Sequence, residues 1–113
     1  MATINYIELP ARAYAESKAF YASAFGVALT DFGPRYSCTT TGVTDIGLQG
    51  DTTRLTSAPL PVILVDDLEA AAVSVINAGG VITHPIFSFP GGRRFHFCDP
   101  SGNELAVWTQ TAE

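Results

Sequence analysis

The 113-residue chain contains no apolar run approaching the roughly 20 residues that a membrane-spanning helix needs. It also lacks an opening basic region followed by an apolar stretch, so we expect neither an anchor nor a signal peptide. Basic residues are few, since six Lys and Arg stand against eleven Asp and Glu, for a formal net charge of −5. Nucleic acid and anionic membranes demand a basic surface, so the sequence disfavours both as partners, and we expect a cytoplasmic protein.

Several common catalytic signatures are missing as well. There is no glycine-rich phosphate loop, no CxxC pair and no Ser-His-Asp context, and the Gly91-Gly92 pair belongs to a turn. The two cysteines, Cys38 and Cys98, are predicted to be free thiols in a reducing compartment. A hydrophobic content of 47% with 15% charged residues nevertheless predicts a folded domain.

The most informative stretch is residues 93–108, which has the pattern of a β-hairpin. Residues 99–102, Asp-Pro-Ser-Gly, carry the preferences of a type I turn. The alternation on either side gives each strand one apolar face, with Phe95 and Phe97 predicted in the core, and one mixed face. The mixed face is where chemistry is expected.

The rest of the chain predicts two similar halves. The first half gives a strand at 3–9, an amphipathic helix at 13–25 with Phe20 in the core, and strands at 27–32, 35–41 and 43–49. The second gives a strand at 60–65, a helix capped by Asp66 with Glu69 as its capping-box partner, an extended segment at 81–89 and the hairpin.

A shift of 54 positions lays Gly26 on Gly80 and keeps strand and helix in phase, which indicates a duplication. The chain is therefore predicted to be a single domain, 1–113, made of repeat units 1–49 and 60–110 joined by a linker at 50–59.

The hairpin motif, aromatic-x-aromatic-x-Asp-Pro-x-Gly-Asn followed by a strand, resembles the closing motif of the vicinal oxygen chelate superfamily. That superfamily groups glyoxalase I, bleomycin-resistance proteins, fosfomycin-resistance enzymes and extradiol dioxygenases. Residues 4–26 resemble its opening strand and helix, and residues 62–80 resemble the second copy. The resemblance implies an α+β fold of two tandem βαβββ units forming a curved mixed sheet around a cleft, and it implies a homodimer.

In metal-dependent members of the superfamily, ligands come from the first strand of each half and from the last strand. The matching positions here carry Tyr6, Leu60 and Ala106. Leu and Ala offer no donor atom, and a neutral tyrosine is a poor ligand. We therefore expect neither a metal nor another cofactor, with a divalent metal recruited through other residues as the alternative.

By parity, and by the superfamily's inward faces, five residues are candidates to bind a ligand in the cleft: Tyr6, Glu8, Arg94, His96 and Trp108. Gln49, near the end of the fourth strand, is a sixth candidate, as a hydrogen-bonding residue. Plainer interpretations stay open: His96 packed between aromatics, Glu8 and Arg94 neutralising each other, and Gln49 at an exposed strand end. Two further polar residues, His84 and Glu104, are expected at the surface.

Three functions follow. The first is a metal-independent, bleomycin-resistance-like protein that binds a small aromatic or cationic molecule. The second is a glyoxalase-like lyase or isomerase in which Glu8 and His96 act as acid and base or recruit a divalent metal. The third is a non-catalytic dimerising domain.

Overall fold

The computed structural model describes residues 2–111. In chain order, its helices and strands are β1 (Thr3–Pro10), α1 (Tyr14–Phe25), β2 (Thr30–Asp31), β3 (Tyr36–Cys38), β4 (Asp45–Gln49), β5 (Leu60–Leu64), α2 (Leu68–Asn77), β6 (Val81–Phe89), β7 (Gly92–Cys98) and β8 (Glu104–Gln110). Within the described range, neither helix has the length and apolar character needed to cross a membrane.

The elements group into two compact units with the same βαβββ order. The first unit is Tyr6–Leu60, and the second runs on from Pro61 and includes the described residues before Tyr6. In the first unit β1 pairs in parallel with β4, β4 is antiparallel to β3, and β3 is antiparallel to β2. In the second unit β5 pairs in parallel with β8, β8 is antiparallel to β7, and β7 is antiparallel to β6. The predicted α+β fold of two βαβββ units is confirmed.

The core of the second unit lies between α2 and one face of its strands. Leu68, Phe95 and Val107 are buried there, with 2% or less of each residue exposed. Because side chains alternate along a strand, the neighbours of Phe95 on β7, Arg94 and His96, point to the opposite face. We call this the helix-free face of the second unit.

The N-terminus of α2 differs from the prediction by one residue. Asp67, not Asp66, is the N-cap, and its side chain accepts a hydrogen bond from the amide of Ala70 at 3.0 Å. Glu69 instead holds Arg93 on β7, with Nη1–Oε2 at 2.6 Å and Nη2–Oε1 at 3.2 Å. Asp67 has the extended backbone of an N-cap, which decides between the two adjacent aspartates.

In the first unit, α1 starts without a side-chain cap and is followed by Gly26, whose φ of 66° suits a left-handed C-cap. The prediction that Phe20 belongs to the core is wrong, because the residue is 56% exposed. No residue of α1 is fully buried, so the periodic aromatics of this helix do not mark a buried stripe. The strands after it are shorter than predicted, at Thr30–Asp31 and Tyr36–Cys38.

The signature hairpin has the predicted turn. The amide of Gly102 donates to the carbonyl of Asp99 at 2.9 Å, and the Asp99 carboxylate accepts from the backbone of Ser101 and from both nitrogens of Asn103. These contacts hold the pKa of Asp99 below its ordinary value, with the Asn103 side chain as the first cause. The turn sets the β7–β8 register, in which Cys98 faces Glu104.

Candidate functional site

The helix-free face of the second unit brings together the polar and aromatic side chains of β6, β7 and β8. Across β7, His96 pairs with His84 on one side and with Ala106 on the other. Two residues earlier, Arg94 pairs with Phe87 and with Trp108. Of the predicted ligand residues, the structure therefore places Arg94, His96 and Trp108 on one surface.

His96 is bound to a carboxylate on the neighbouring strand. Its Nδ1 lies 3.1 Å from Oε2 of Glu104, and the residue is only 5% exposed. Its other ring nitrogen, Nε2, is buried and has no hydrogen-bond partner among the described residues. With Nδ1 protonated and donating to Glu104, Nε2 becomes the lone-pair-bearing atom of a neutral imidazole.

The protonation state fits this arrangement. Burial holds the pKa of His96 below its ordinary value, against the opposing effect of the hydrogen bond to Glu104. The positive charge of Arg94 lowers this pKa further. A neutral imidazole with one fixed N–H is the state that accepts a proton in general base catalysis.

His84 completes a small cluster with these two residues. Its ring centre lies 4.7 Å from that of His96 in an edge-to-face arrangement, and its Nε2 lies 3.8 Å from Oε2 of Glu104. The His84 side chain is 60% exposed, as predicted for a surface residue. Glu104, in contrast, was expected to be solvated but is only 26% exposed because it contacts both imidazoles.

Arg94 and Trp108 form the aromatic end of the face. The guanidinium carbon of Arg94 lies 5.4 Å from the ring centre of Phe87 and 5.8 Å from that of Phe89, within cation–π range. Phe89 in turn packs at 6.2 Å from Trp108. The indole Nε1 of Trp108 donates to Oδ1 of Asn5 at 3.1 Å, which fixes the ring plane.

The first unit carries a polar cluster of its own. Tyr6 and Tyr36 share a short hydroxyl–hydroxyl hydrogen bond, and the Tyr36 hydroxyl also donates to Oε1 of Glu8 at 3.3 Å. Glu8 is 3% exposed. Gly47 leaves the space for these groups, because a Cβ at position 47 would overlap both tyrosine hydroxyls. Glu8 is thus a buried carboxylate bonded to a tyrosine, and its role in catalysis stays a prediction.

The side chain of Gln49 forms a hydrogen bond within the loop that follows β4. Its side-chain oxygen accepts from the amide of Asp51 at 2.9 Å. That contact turns the chain after β4, so it gives Gln49 a local structural role. Ligand binding by Gln49 stays a prediction.

The superfamily's usual metal positions do not fit a metal ion here. Leu60 and Ala106 are aliphatic and at most 1% exposed. Burial, followed by the charge of Tyr36, raises the pKa of Tyr6 far above its ordinary value, so the phenol stays protonated. A protonated phenol bonded to another hydroxyl is a poor metal donor.

A shallow depression of about 360 Å³ lies in the first unit. It is lined by Val27, Ala28, Thr39, Thr41, Gly42, Thr44 and Ile46. None of these side chains titrates near neutral pH, and none is a predicted site residue. The helix-free face of the second unit, with its fixed imidazole, is therefore the stronger candidate site.

Sequence reasoning missed the part that Glu104 and His84 play in this site. Glu104 had a signal, because parity places it with His96 on the mixed face, diagonally across the hairpin. His84 had none, because the β6–β7 register shifts on both sides of it. Such irregularities re-aim side chains and break the alternation on which parity arguments depend.

The fold and the site define a class of α+β protein: it has two βαβββ units, and one face of the strands carries polar and aromatic side chains. A family model described as the Glyoxalase/Bleomycin resistance protein/Dioxygenase superfamily matches residues 3–107, so the chain belongs to this superfamily. The predicted membership is thereby confirmed. No curated protein matches the chain.

Solved structures of low sequence identity share the fold. A superfamily member from Vibrio splendidus 12B01 is 17% identical with a TM-score of 0.70, covering 98% of this chain and 100% of its own. Methylmalonyl-CoA epimerase from Mycobacterium tuberculosis is 12% identical with a TM-score of 0.76, covering 95% and 87%. A Mn(II)-bound glyoxalase from Novosphingobium aromaticivorans is 18% identical with a TM-score of 0.70, covering 96% of this chain and 40% of its own.

Proposed function

We propose that this chain is an acid/base enzyme, a glyoxalase-like lyase or isomerase that moves a proton on a small carbonyl compound through His96. One observation carries the proposal: Glu104 fixes Nδ1 of a buried imidazole, and Nε2 has no partner among the described residues. A surface histidine would not need such orientation, and a purely structural one would have both nitrogens satisfied. The activity needs no ion at the superfamily's usual positions.

The chemistry follows from the protonation states. Nε2 of His96 accepts the proton of an acidic C–H bond next to a carbonyl, and the electron pair of that bond moves to the carbonyl oxygen as an enolate. Glu104 stabilises the imidazolium that forms and keeps the ring in its reactive tautomer. Return of the proton to carbon completes an isomerisation or epimerisation.

Two further observations support this class of reaction. Arg94 adds a positive charge to the same face, where it favours substrates that develop negative charge. Methylmalonyl-CoA epimerase shares the fold, and its name describes inversion at a carbon centre. The sequence suggested Glu8 as the carboxylate that works with His96. We assign that role to Glu104 instead, because Glu104 is the carboxylate that contacts the imidazole.

The test is exchange of substrate C–H protons with solvent deuterium, followed by nuclear magnetic resonance. The panel comprises 2-substituted malonyl thioesters and hemithioacetals of 2-oxoaldehydes, both of which carry an acidic C–H bond. We expect at least one compound to exchange, and the exchange to disappear in His96→Asn. Asn keeps a side-chain amide at the position of Nδ1–H but has no counterpart of Nε2.

A matched control isolates the carboxylate. Glu104→Gln should lower exchange, because it removes the carboxylate that orients His96. Glu69→Gln makes the same chemical change on the same unit, at a side chain that contacts Arg93 and not His96. It should leave exchange unchanged. Exchange that persists in His96→Asn would remove the imidazole from the reaction and overturn the proposal.

A binding role without turnover is the second candidate, and the aromatic end of the face favours it. Phe87, Phe89 and Trp108 offer flat apolar surface for a small aromatic or cationic molecule. Trp108 is the only tryptophan of the chain, so its fluorescence reports directly on this surface. Saturable quenching by a compound that shows no deuterium exchange would favour the binder over the enzyme.

Homodimerisation and a cytoplasmic location are part of the same proposal. Size-exclusion chromatography with light scattering tests the first, and a monomer at micromolar concentration would contradict it. The role of a purely dimerising domain predicts neither exchange nor quenching.

A further inference from the structure

We propose that His84, His96 and Glu104 form a binding site for a divalent transition-metal ion, at positions other than those the superfamily uses. The ligand atoms are one ring nitrogen from each histidine and one carboxylate oxygen. All of them lie within 4.8 Å of one another. The site stands on this geometry and not on the proposed function.

The two distances from the Glu104 carboxylate to the histidines are close to those between the ligands of a metal ion. Tetrahedral ligands held about 2.1 Å from a zinc ion lie about 3.4 Å from one another. Here Oε2 of Glu104 lies 3.1 Å from Nδ1 of His96 and 3.8 Å from Nε2 of His84. These two distances need adjustments of only a few tenths of an ångström. The third distance, between the ring nitrogens of His84 and His96, is bounded only by 4.8 Å, and rotation of the exposed His84 ring is what would bring these two atoms around one ion.

The donor set selects the class of ion. Two imidazoles and one carboxylate suit Zn(II), Co(II), Ni(II) or Fe(II) better than Ca(II) or Mg(II), which prefer oxygen ligands throughout. The carboxylate supplies negative charge, and the Thr83 hydroxyl donates a hydrogen bond to the same Oε2 at 3.4 Å, which helps to orient it. Three protein ligands leave a coordination position for water or a ligand.

The strands explain how this set is assembled. His84 and His96 are cross-strand partners, which brings their side chains to adjacent positions on one face. Glu104 lies diagonally opposite His96, two residues from its partner Ala106. The register shifts on either side of His84 bend β6 locally, and Pro85 follows at once.

An ion at this site would change the state of His96. Metal coordination requires the Nδ1 lone pair, so the Nδ1–H donated to Glu104 is lost and a proton is released. If the proposed function holds, an occupied site removes the fixed tautomer on which proton transfer depends. The ion then inhibits the enzyme, and His84 makes this inhibition possible because it is a ligand of the ion.

Co(II) is the probe for the test, because its visible absorption reports ligand number and it binds where zinc binds. The full chain, freed of metal by chelator and dialysis, is titrated with Co(II) and then with Zn(II) as competitor. We expect one equivalent of Co(II) with absorption typical of four-coordination, displaced by one equivalent of Zn(II). His84→Ala and Glu104→Gln should each weaken binding by at least about tenfold.

Two features keep this experiment decisive. His84 is 60% exposed, so His84→Ala is expected to fold, which thermal melting without metal verifies. Cys98→Ser is the matched control, because this free thiol lies on β7 two residues from His96 but outside the cluster. The Cys98→Ser variant should bind Co(II) as tightly as the unaltered chain does.

Three results would each overturn the proposed site. The first is that the unaltered chain does not bind Co(II). The second is that binding is unchanged in both His84→Ala and Glu104→Gln, and the third is that binding is lost in Cys98→Ser. None of these readouts requires turnover, so failure of the metal site leaves the acid/base proposal standing. The deuterium-exchange test can fail equally well while Co(II) still binds. If both hold, Zn(II) slows exchange in the unaltered chain and has a weaker effect in His84→Ala.

Discussion

Nδ1 of His96 lies 3.1 Å from Oε2 of Glu104, across a hairpin whose turn separates the two residues by eight positions in the chain. This contact gives the imidazole one defined tautomer, with the reactive nitrogen on the other side of the ring.

Glu104→Gln should lower the deuterium-exchange rate constant on the order of 100-fold while changing KM little. The glutamine amide can donate to Nδ1, which moves the ring proton to Nε2 and leaves no base there. Steady-state kinetics on an exchanging substrate separate the two constants. Glu104→Asp should recover part of the rate. An equal loss in the Glu69→Gln control would point to general destabilisation instead.

Gly47→Ala should destabilise the first unit by about 1–3 kcal/mol, the usual cost of overpacking. The added methyl group would collide with the hydroxyls of Tyr6 and Tyr36. Urea denaturation measures the loss. Adding Tyr6→Phe removes one of the colliding atoms, so the double variant should regain part of the stability. A Gly47→Ala variant as stable as the unaltered chain would show that the two tyrosines can move apart.

Asp67→Ala should cost about 1 kcal/mol, because it removes the side-chain acceptor for the amide of Ala70 at the start of α2. Asp67→Asn keeps an acceptor of the same length and is the control, with a loss of a few tenths of a kcal/mol at most. Chemical denaturation of the three proteins gives the comparison. Equal losses for both variants would mean that charge, and not capping, is what matters at this position.

Asp99 should contribute to acid sensitivity. Its folded pKa lies below its ordinary value, so its stabilising effect is fully present above about pH 4 and is lost as the pH falls through the folded pKa. Melting temperatures measured from pH 6 down to pH 2 should fall less steeply in Asp99→Ala than in the unaltered chain. Parallel curves would show that the turn contacts do not favour the ionised carboxylate.

The hairpin and the repeat were predictable because they depend on local chemistry. Asp99 and Gly102 specify the turn on their own, and a strand's alternation places Phe95 in the core opposite His96 without knowledge of any partner. The same reasoning failed for Phe20, since periodicity on α1 predicts a stripe but cannot tell whether another surface covers it. Sequence reasoning also assigned the N-cap of α2 to Asp66 instead of Asp67, because two adjacent aspartates can be told apart only by their backbone angles.

The sequence by itself determined the duplicated βαβββ order, the turn at Asp99 and the absence of donors at Leu60 and Ala106. Each of these follows from residue type and spacing along the chain. Only the tertiary structure decided that Glu104 orients His96 and that His84 joins them, because both contacts cross between strands. The register of β6 at its irregularities is set by packing of the whole sheet, and no local pattern encodes it.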